Sequence, residues 1–223
     1  MRTLNVAIDG PAGAGKSTIA KRVAKDLQLI YVDTGAMYRA VALYLLREKT
    51  DIHNAEEVAA KCVDADVAIR YEDGQQVVFL NGENVNGFLR TEEVGNAASV
   101  TSAIPAVRAH LLQLQKNLAA SSDCLMDGRD IGTVVLPDAQ VKIYLTASVE
   151  ERARRRFEEL KAKGEEPDFD KIKADIEQRD YQDMHRDISP LRQADDAIVV
   201  DTTHMTIEEV AEHIESLCRS VNQ

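Results

Sequence analysis

The strongest constraint on this chain is segment 10–17, which reads GPAGAGKS and matches the pattern G-x-x-x-x-G-K-S/T at every position. It stands directly after a short apolar run and directly before a helical pattern, which is the strand–loop–helix context that the motif requires. Glycines let backbone N–H groups turn toward phosphate oxygens, and the start of the helix adds its dipole. The segment therefore predicts a site for a nucleoside triphosphate.

Each polar residue of this loop has an expected role. Lys16 should reach the β- and γ-phosphates, and the hydroxyl of Ser17 is placed to bind Mg²⁺. A chance match would arise in roughly two or three chains per thousand of this composition. The residues predicted to bind the triphosphate are Gly10, Pro11, Ala12, Gly13, Ala14, Gly15, Lys16, Ser17 and Thr18.

Five short apolar runs alternate with longer helical patterns along the chain. The runs are nearly continuous rather than alternating with polar residues, which is typical of strands buried on both faces. They lie at 4–8, 29–32, 124–126, 141–145 and 197–200, and the helical patterns lie at 17–27, 37–48, 104–120, 149–163, 169–185 and 206–219. This order predicts an α/β fold, a five-stranded parallel sheet flanked by helices.

One region departs from this order. Two short β-type runs, 67–71 and 76–80, flank a turn that contains Gly74, and a second glycine turn follows at Gly82. We interpret 65–90 as a small three-stranded antiparallel insertion in one domain that extends over 1–223.

Charge and cysteine usage exclude several function classes. The chain has 27 basic and 38 acidic residues, a net charge of −11, which argues against a general binder of nucleic acid or anionic membranes. Its three cysteines are far apart and form no CxxC pair, so we expect neither a zinc site nor a disulfide framework. Without an apolar segment at the N-terminus or one long enough to span a bilayer, the expected location is the cytoplasm.

Two of the predicted strands end in aspartate, and an arginine follows each of them. Ligands bind at the carboxyl ends of the strands in an open α/β sheet, so Asp33 and Asp127 are candidate Mg²⁺ ligands together with Ser17. Either aspartate could instead cap the loop that follows it. Arg39 and Arg129 are candidates to bind the phosphate of an acceptor, although Arg39 could also be an ordinary exposed helix residue.

Two further motifs accompany the phosphate loop. Segment 33–39 reads DTGAMYR and segment 127–133 reads DGRDIGT, while the N-K-x-D motif of GTPases and the L-S-G-G-Q signature of ABC-type ATPases are absent. Together with segments 10–18 and 179–186, they resemble the signatures of bacterial cytidylate kinases over essentially the whole chain. The small three-stranded insertion is also similar to that of the long bacterial form of the family.

The resemblance implies an enzyme that transfers the γ-phosphoryl group of Mg·ATP to CMP or dCMP. It implies that Ser99, Arg108 and Asp130 contact the base, that Asp183 and Arg179 contact the ribose, and that Arg186 reaches toward the phosphates. Without it, Arg179 and Asp183 would be read as an exposed i,i+4 helix pair, and Asp130 could serve only to orient Arg129. The expected substrate-binding residues are Thr34, Arg39, Ser99, Arg108, Arg129, Asp130, Arg179, Asp183 and Arg186.

A cluster of arginines predicts a short lid over 150–168. Arg152, Arg155 and Arg156 stand at i, i+3 and i+4 on one helix face, and a salt-bridged surface helix is the alternative. The expected catalytic residues are Lys16, Arg129, Arg155, Arg156 and Arg186. We expect a monomer whose partners are ATP and CMP or dCMP; the alternatives are another small-molecule P-loop kinase, acting on UMP, AMP or a hydroxylated metabolite, and a non-catalytic nucleotide-binding regulator.

Overall fold

The computed structural model describes residues 3–221; residues 1, 2, 222 and 223 of the expected single domain lie outside the described residues. The described residues form two sheets, one of five strands in the order β2-β6-β1-β7-β8 and one of three strands in the order β3-β4-β5. The strands are β1 (Asn5–Asp9), β2 (Ile30–Asp33), β3 (Val67–Glu72), β4 (Gln75–Leu80), β5 (Glu83–Asn84), β6 (Cys124–Gly128), β7 (Val141–Thr146) and β8 (Ile198–Asp201).

Eight α-helices accompany these strands in the described part of the chain. They are α1 (Lys16–Asp26), α2 (Thr34–Arg47), α3 (Ala55–Lys61), α4 (Glu92–Thr101), α5 (Pro105–Ser121), α6 (Val149–Ala162), α7 (Phe169–His185) and α8 (Ile207–Ser220). A turn of 3-10 helix (Cys62–Asp64) follows α3, and a π-helical turn (Ile131–Val135) follows β6.

All neighbouring strands of the larger sheet run parallel, which confirms the predicted five-stranded parallel sheet. Successive side chains of a strand point to opposite faces. On β1, Val6 and Ile8 accordingly pack into one apolar cluster with α1 and α8, while Ala7 packs into a second cluster with α2 and α5. The sheet is therefore covered by helices on both faces.

The smaller sheet is antiparallel, as predicted, and it covers the β2 edge of the larger one. The side chain of Gln76 accepts from the backbone N–H of Asp33 at 2.8 Å and donates to the carbonyl of Asp33 at 3.2 Å. The hydroxyl of Tyr71 donates to the carbonyl of Tyr31 at 3.1 Å. These side-chain contacts satisfy polar groups of an edge strand that would otherwise be unpaired.

Two helices, α3 and α4, were not predicted from the sequence, and α2 begins three residues before the predicted start. In α2, the carboxylate of Asp33 accepts from the N–H of Ala36 at 2.9 Å and caps the helix, so Gly35 lies inside its first turn. Asn54 and Thr91 cap the two unpredicted helices in the same way. Within residues 3–221, no helix is both long and apolar enough to cross a bilayer.

Candidate active site

A cleft of about 710 Å³ opens at the carboxyl ends of β1, β2 and β6. It is lined by the phosphate loop, by the residues that follow β2 and β6, and by side chains from α4, α5, α6 and α7. Of the site residues predicted from the sequence, only Gly10 and Pro11 lie outside its lining. The fold therefore brings predicted residues as far apart in the chain as Ala12 and Arg186 into one cleft.

The backbone of the phosphate loop depends on glycine at two positions. Gly10 has φ 151°, and a Cβ atom there would lie 1.9 Å from the carbonyl oxygen of Leu145. Gly15 has φ 85° and precedes α1 without providing a side-chain cap, so the first N–H groups of α1 have no capping side chain. Such a helix N-terminus is a ready site for an anion.

Lys16 is buried, and its ammonium group is held by the loop itself. Its Nζ donates to the carbonyls of Gly10 and Pro11, each at 2.7 Å. Burial, and next the positive charge of Arg129, hold the pKa of Lys16 well below its usual value. An anionic phosphate beside Lys16 would offset both effects and favour its charged form.

Asp127 collects three hydrogen bonds at the end of β6. Its carboxylate accepts from the hydroxyl of Ser17 at 2.8 Å and from that of Tyr31 at 3.1 Å, and its carbonyl accepts from Thr34 at 2.8 Å. Burial, followed by the charge of Asp33, raises the pKa of Asp127 to about 6. The predicted metal residues Ser17 and Asp127 are thus in direct contact, whereas Tyr31 was not predicted because no motif marks it.

The carboxylate of Asp33 is bound by other groups of the protein. Besides capping α2, its carboxylate forms an ion pair at 3.1 Å with Arg90, a cleft residue that the sequence interpretation did not include. The capping alternative for Asp33 is therefore observed, and its role as a metal ligand stays a prediction. Arg90 follows the small sheet in an irregular segment, where no pattern distinguishes it from an ordinary surface arginine.

Asp9 is a second buried carboxylate that sequence reasoning missed. It accepts from the N–H groups of Ile131 and Gly132 at 2.8 and 2.7 Å, so it links the end of β1 to the turn after β6. Burial raises the pKa of Asp9 to about 6 despite these two hydrogen bonds.

At the far end of the cleft, Arg108 and Asp130 form a buried ion pair. Their side chains are 8% and 6% exposed. Arg108 also donates to the carbonyl of Ser102 at 3.1 Å, and its guanidinium carbon lies 5.2 Å from the ring centroid of Tyr38. These contacts fix a donor and an acceptor side by side, and Ser99 lines the same cleft.

Between this pair and Lys16 lies a group of arginines around Asp183. Arg129 donates to Asp183 at 2.8 Å, and Arg186 donates to it at 3.4 Å. Asp130 pairs with Arg108 and, at 3.9 Å, with Arg186, so the alternative in which it only orients Arg129 is not what the structure shows. One nitrogen of Arg186, NH2, is buried without a hydrogen-bond partner.

The remaining cations of this group carry perturbed pKa values. Burial lowers the pKa of Arg39, and burial together with the nearby charge of Arg129 lowers the pKa of Arg179 to about 10. Cations crowded together away from water are stabilised by an anion, so the arrangement favours a phosphate at this position.

The three arginines of α6 do not share one role. Arg152 is buried and pairs with Asp180 at 2.5 Å, so its side chain is held inside the protein in this structure, and its place on a mobile lid stays a prediction. Arg155 donates to the carbonyl of Thr202 at 2.7 Å. Arg156 is exposed and pairs with Glu159 on its own helix. Helical spacing places the three arginines on one face of α6, but the packing of α6 against the phosphate loop buries only Arg152.

Comparisons with known proteins agree with this geometry. The family model described as cytidylate kinase matches residues 6–220. The chain belongs to the cytidylate kinase family. A cytidylate kinase from Caldicellulosiruptor saccharolyticus is 50% identical over 214 residues, covering 96% of this chain and 95% of its own. One from Streptococcus sanguinis is 50% identical over 222 residues, covering 99% of each chain.

A solved structure supports the fold independently. An uncharacterized protein from Eubacterium ventriosum superposes with a TM-score of 0.52, covering 98% of this chain and 99% of its own, at 11% sequence identity. At that identity the likeness concerns the fold alone, so the family assignment depends on the sequence matches.

Proposed function

We propose that this member of the cytidylate kinase family transfers the γ-phosphoryl group of ATP to CMP or dCMP, giving ADP and CDP or dCDP. The observation that carries the proposal is that one cleft holds Lys16, the phosphate loop and the buried Arg108–Asp130 pair, and that Arg129 is connected to this pair through Asp183 and Arg186. A triphosphate and a pyrimidine nucleotide would lie with their phosphates facing each other across the arginines.

The Arg108–Asp130 pair suits cytosine. The exocyclic amino group of cytosine is a donor for the carboxylate of Asp130, and its N3 and O2 are acceptors for the guanidinium of Arg108. Ser99 lines the same end of the cleft and can add a hydroxyl contact. Because both side chains are buried, a base with the wrong polarity leaves polar groups unpaired.

The arginine group suits the acceptor's phosphate and sugar. Arg39, Arg129 and Arg179 provide positive charge for the phosphate, and the carboxylate of Asp183 can accept from a ribose hydroxyl. Arg186 offers its unpartnered nitrogen to the same region. Thr34 lines the same cleft, and its hydroxyl donates to the carbonyl of Asp127.

A Mg²⁺ ion accompanies the triphosphate in this proposal. Mg²⁺ prefers oxygen ligands and is usually held by one or two carboxylates together with substrate phosphates and water. Ser17 and Asp127 supply a hydroxyl and a carboxylate that already touch, and no group of three or more acidic, histidine or cysteine ligands occurs among residues 3–221. These residues fit an ion that arrives with the nucleotide, and such an ion neutralises phosphate charge. Asp33 is the further predicted ligand.

The chain's own residues then act by position and charge. The acceptor oxygen is already anionic, so no general base is needed, and Lys16, Arg129 and Arg186 stabilise charge on the phosphoryl group being transferred. Arg155 and Arg156, on α6, would approach the triphosphate when segment 150–168 closes over it and excludes water. We also propose that the enzyme is a cytoplasmic monomer.

The test is ADP production in a coupled assay with ATP and a panel of CMP, dCMP, UMP and AMP. We expect CMP and dCMP to give the highest kcat/KM, and the Lys16→Ala variant prepared in parallel controls for contaminating kinases. Higher kcat/KM with UMP or AMP would contradict the proposed acceptor. ATP binding without ADP production on any monophosphate would contradict the proposal that the protein is a kinase.

A further inference from the structure

One buried ion pair holds the backbone of Ala12, inside the phosphate loop. The N–H of Ala12 donates to Oδ1 of Asp180 at 3.1 Å, and Arg152 donates to the carbonyl of Ala12 at 2.8 Å. The same Arg152 nitrogen donates to Oδ2 of Asp180 at 2.5 Å. Both backbone polar groups of Ala12 are thus bound by two side chains that are only 5% and 11% exposed.

These side chains come from different helices, so the pair connects three parts of the fold. Arg152 lies on α6 and Asp180 lies on α7. Arg152 also donates from Nε to the carbonyl of Ala147, which precedes α6. At Gly13, with φ 74°, an added Cβ atom would lie 3.3 Å from Cβ of Arg152, so the loop packs directly on this side chain.

Helix α7 also carries residues of the acceptor half of the cleft. Arg179 directly precedes Asp180, and Asp183, which pairs with Arg129, lies one turn further along. A helix moves as a stiff unit over such a distance, because its backbone hydrogen bonds join each turn to the next. The position of Asp180 against Ala12 therefore fixes where Arg179 and Asp183 stand.

We propose that Arg152 and Asp180 are positioning residues that couple the two halves of the cleft. A triphosphate that binds the loop N–H groups beyond Ala12 orders the loop. The ion pair then holds α7 in the arrangement that binds the monophosphate. Coupling of this kind is reciprocal, so each nucleotide raises the affinity for the other by the same factor. The inference rests on the proposed function, because it takes CMP as the ligand of α7.

The test measures the Kd of CMP by calorimetry with and without Mg²⁺ and the non-hydrolysable analogue β,γ-imido-ATP. We expect wild type to bind CMP about 5- to 150-fold more tightly when the analogue is present, the usual range for coupled sites. In Asp180→Asn, which keeps an acceptor for Ala12 but loses the charge that Arg152 pairs with, this factor should fall. In the double variant Arg152→Met/Asp180→Leu, which leaves no buried unpaired charge, it should approach one.

A matched control joins the same two helices away from the loop. Lys173 of α7 pairs with Glu150 of α6 at 2.6 Å, so Lys173→Gln should keep the wild-type factor. Thermal unfolding confirms that each variant is folded at the assay temperature.

Two results would overturn the inference, and they are distinguishable. If wild type binds CMP but shows no coupling, or if the folded double variant keeps the wild-type coupling factor, this inference is wrong and the proposed function still stands. If wild type binds no CMP with or without the analogue, the proposed function fails as well.

Discussion

Replacing Asp130 with asparagine should reduce the preference for CMP over UMP. In the structure, Oδ2 of Asp130 accepts from Arg108, and Oδ1 lies 3.9 Å from a nitrogen of Arg186. A carboxylate has about four acceptor positions, so Asp130 can keep both partners and still accept from the amino group of cytosine. Uracil presents a carbonyl at the same place, so the wild-type site would set two acceptors against each other.

The size of the effect follows from burial. The side chain of Asp130 is 6% exposed, so an unpaired acceptor beside it cannot be satisfied by bulk water. Such a group costs about 1–3 kcal/mol, which is roughly 5- to 150-fold in kcat/KM. The amide of asparagine can turn its NH₂ toward uracil, so the UMP penalty should largely disappear. CMP would meanwhile lose a charge-assisted hydrogen bond, and the CMP:UMP ratio should fall by roughly 5- to 150-fold.

The assay is kcat/KM for CMP and UMP at saturating ATP in wild type and Asp130→Asn. Asp183→Asn is the matched control, because Asp183 is proposed to contact the sugar that both nucleotides share, so its ratio should stay unchanged. In Asp130→Asn the buried Arg108 has a neutral asparagine in place of the Asp130 carboxylate, so urea unfolding is used to check that this variant remains folded. An unchanged CMP:UMP ratio in folded Asp130→Asn would refute the assignment of Asp130 to the base.

Three further predictions concern other parts of the cleft. Lys16→Ala should lower kcat by roughly 10³-fold or more with the fold intact, as measured by the coupled assay and circular dichroism; near-normal turnover would contradict the phosphate-loop assignment. Arg129→Ala should raise the KM or lower the kcat for CMP and leave ATP affinity nearly unchanged; the reverse would place Arg129 at the donor phosphates. For Asp9, whose pKa is raised from 3.8 to about 6, the stabilising contribution is complete below about pH 3.8 and is lost as the pH rises through about 6. Relative to Asp9→Asn, the wild-type free energy of unfolding should therefore fall by about 2 kcal/mol between pH 4 and pH 7 in urea titrations, and parallel pH profiles would contradict this.

The sequence predicted those parts of the fold whose signal is local. Apolar runs such as 141–145 identify buried strands, and the phosphate loop is defined by its own residue pattern. Helices α3 and α4 escaped prediction because they are short and carry few buried apolar residues, in α3 only Val58. Their capping residues, Asn54 and Thr91, were the available signal, since each accepts from a backbone N–H three residues later.

Site residues that depend on tertiary contacts were predicted less well. Arg90 and Tyr31 belong to no motif. Arg90 reaches the cleft from the segment after the small sheet, and Tyr31 donates to Asp127 from the neighbouring strand β2. Arg152 was predicted to act together with Arg155 and Arg156 because the three share a helix face. Which member of such a face becomes buried is decided by the neighbouring element, here the phosphate loop at Gly13, and helical periodicity contains no information about it.

Three arginines of this site, two buried and one partly buried, share a geometry that explains why lysine would not replace them. Each guanidinium is planar and offers five N–H donors in fixed directions, so one side chain can serve partners on different elements. Arg108 donates from two different nitrogens to a carboxylate and to a backbone carbonyl, and so does Arg155. Arg152 donates from Nε to the carbonyl of Ala147 and from another nitrogen to the carboxylate of Asp180. A lysine could keep the charge, but its single nitrogen could not span both partners at these distances. An arginine-to-lysine change here should therefore leave a buried oxygen unpaired, and it acts as a structural change rather than a conservative one.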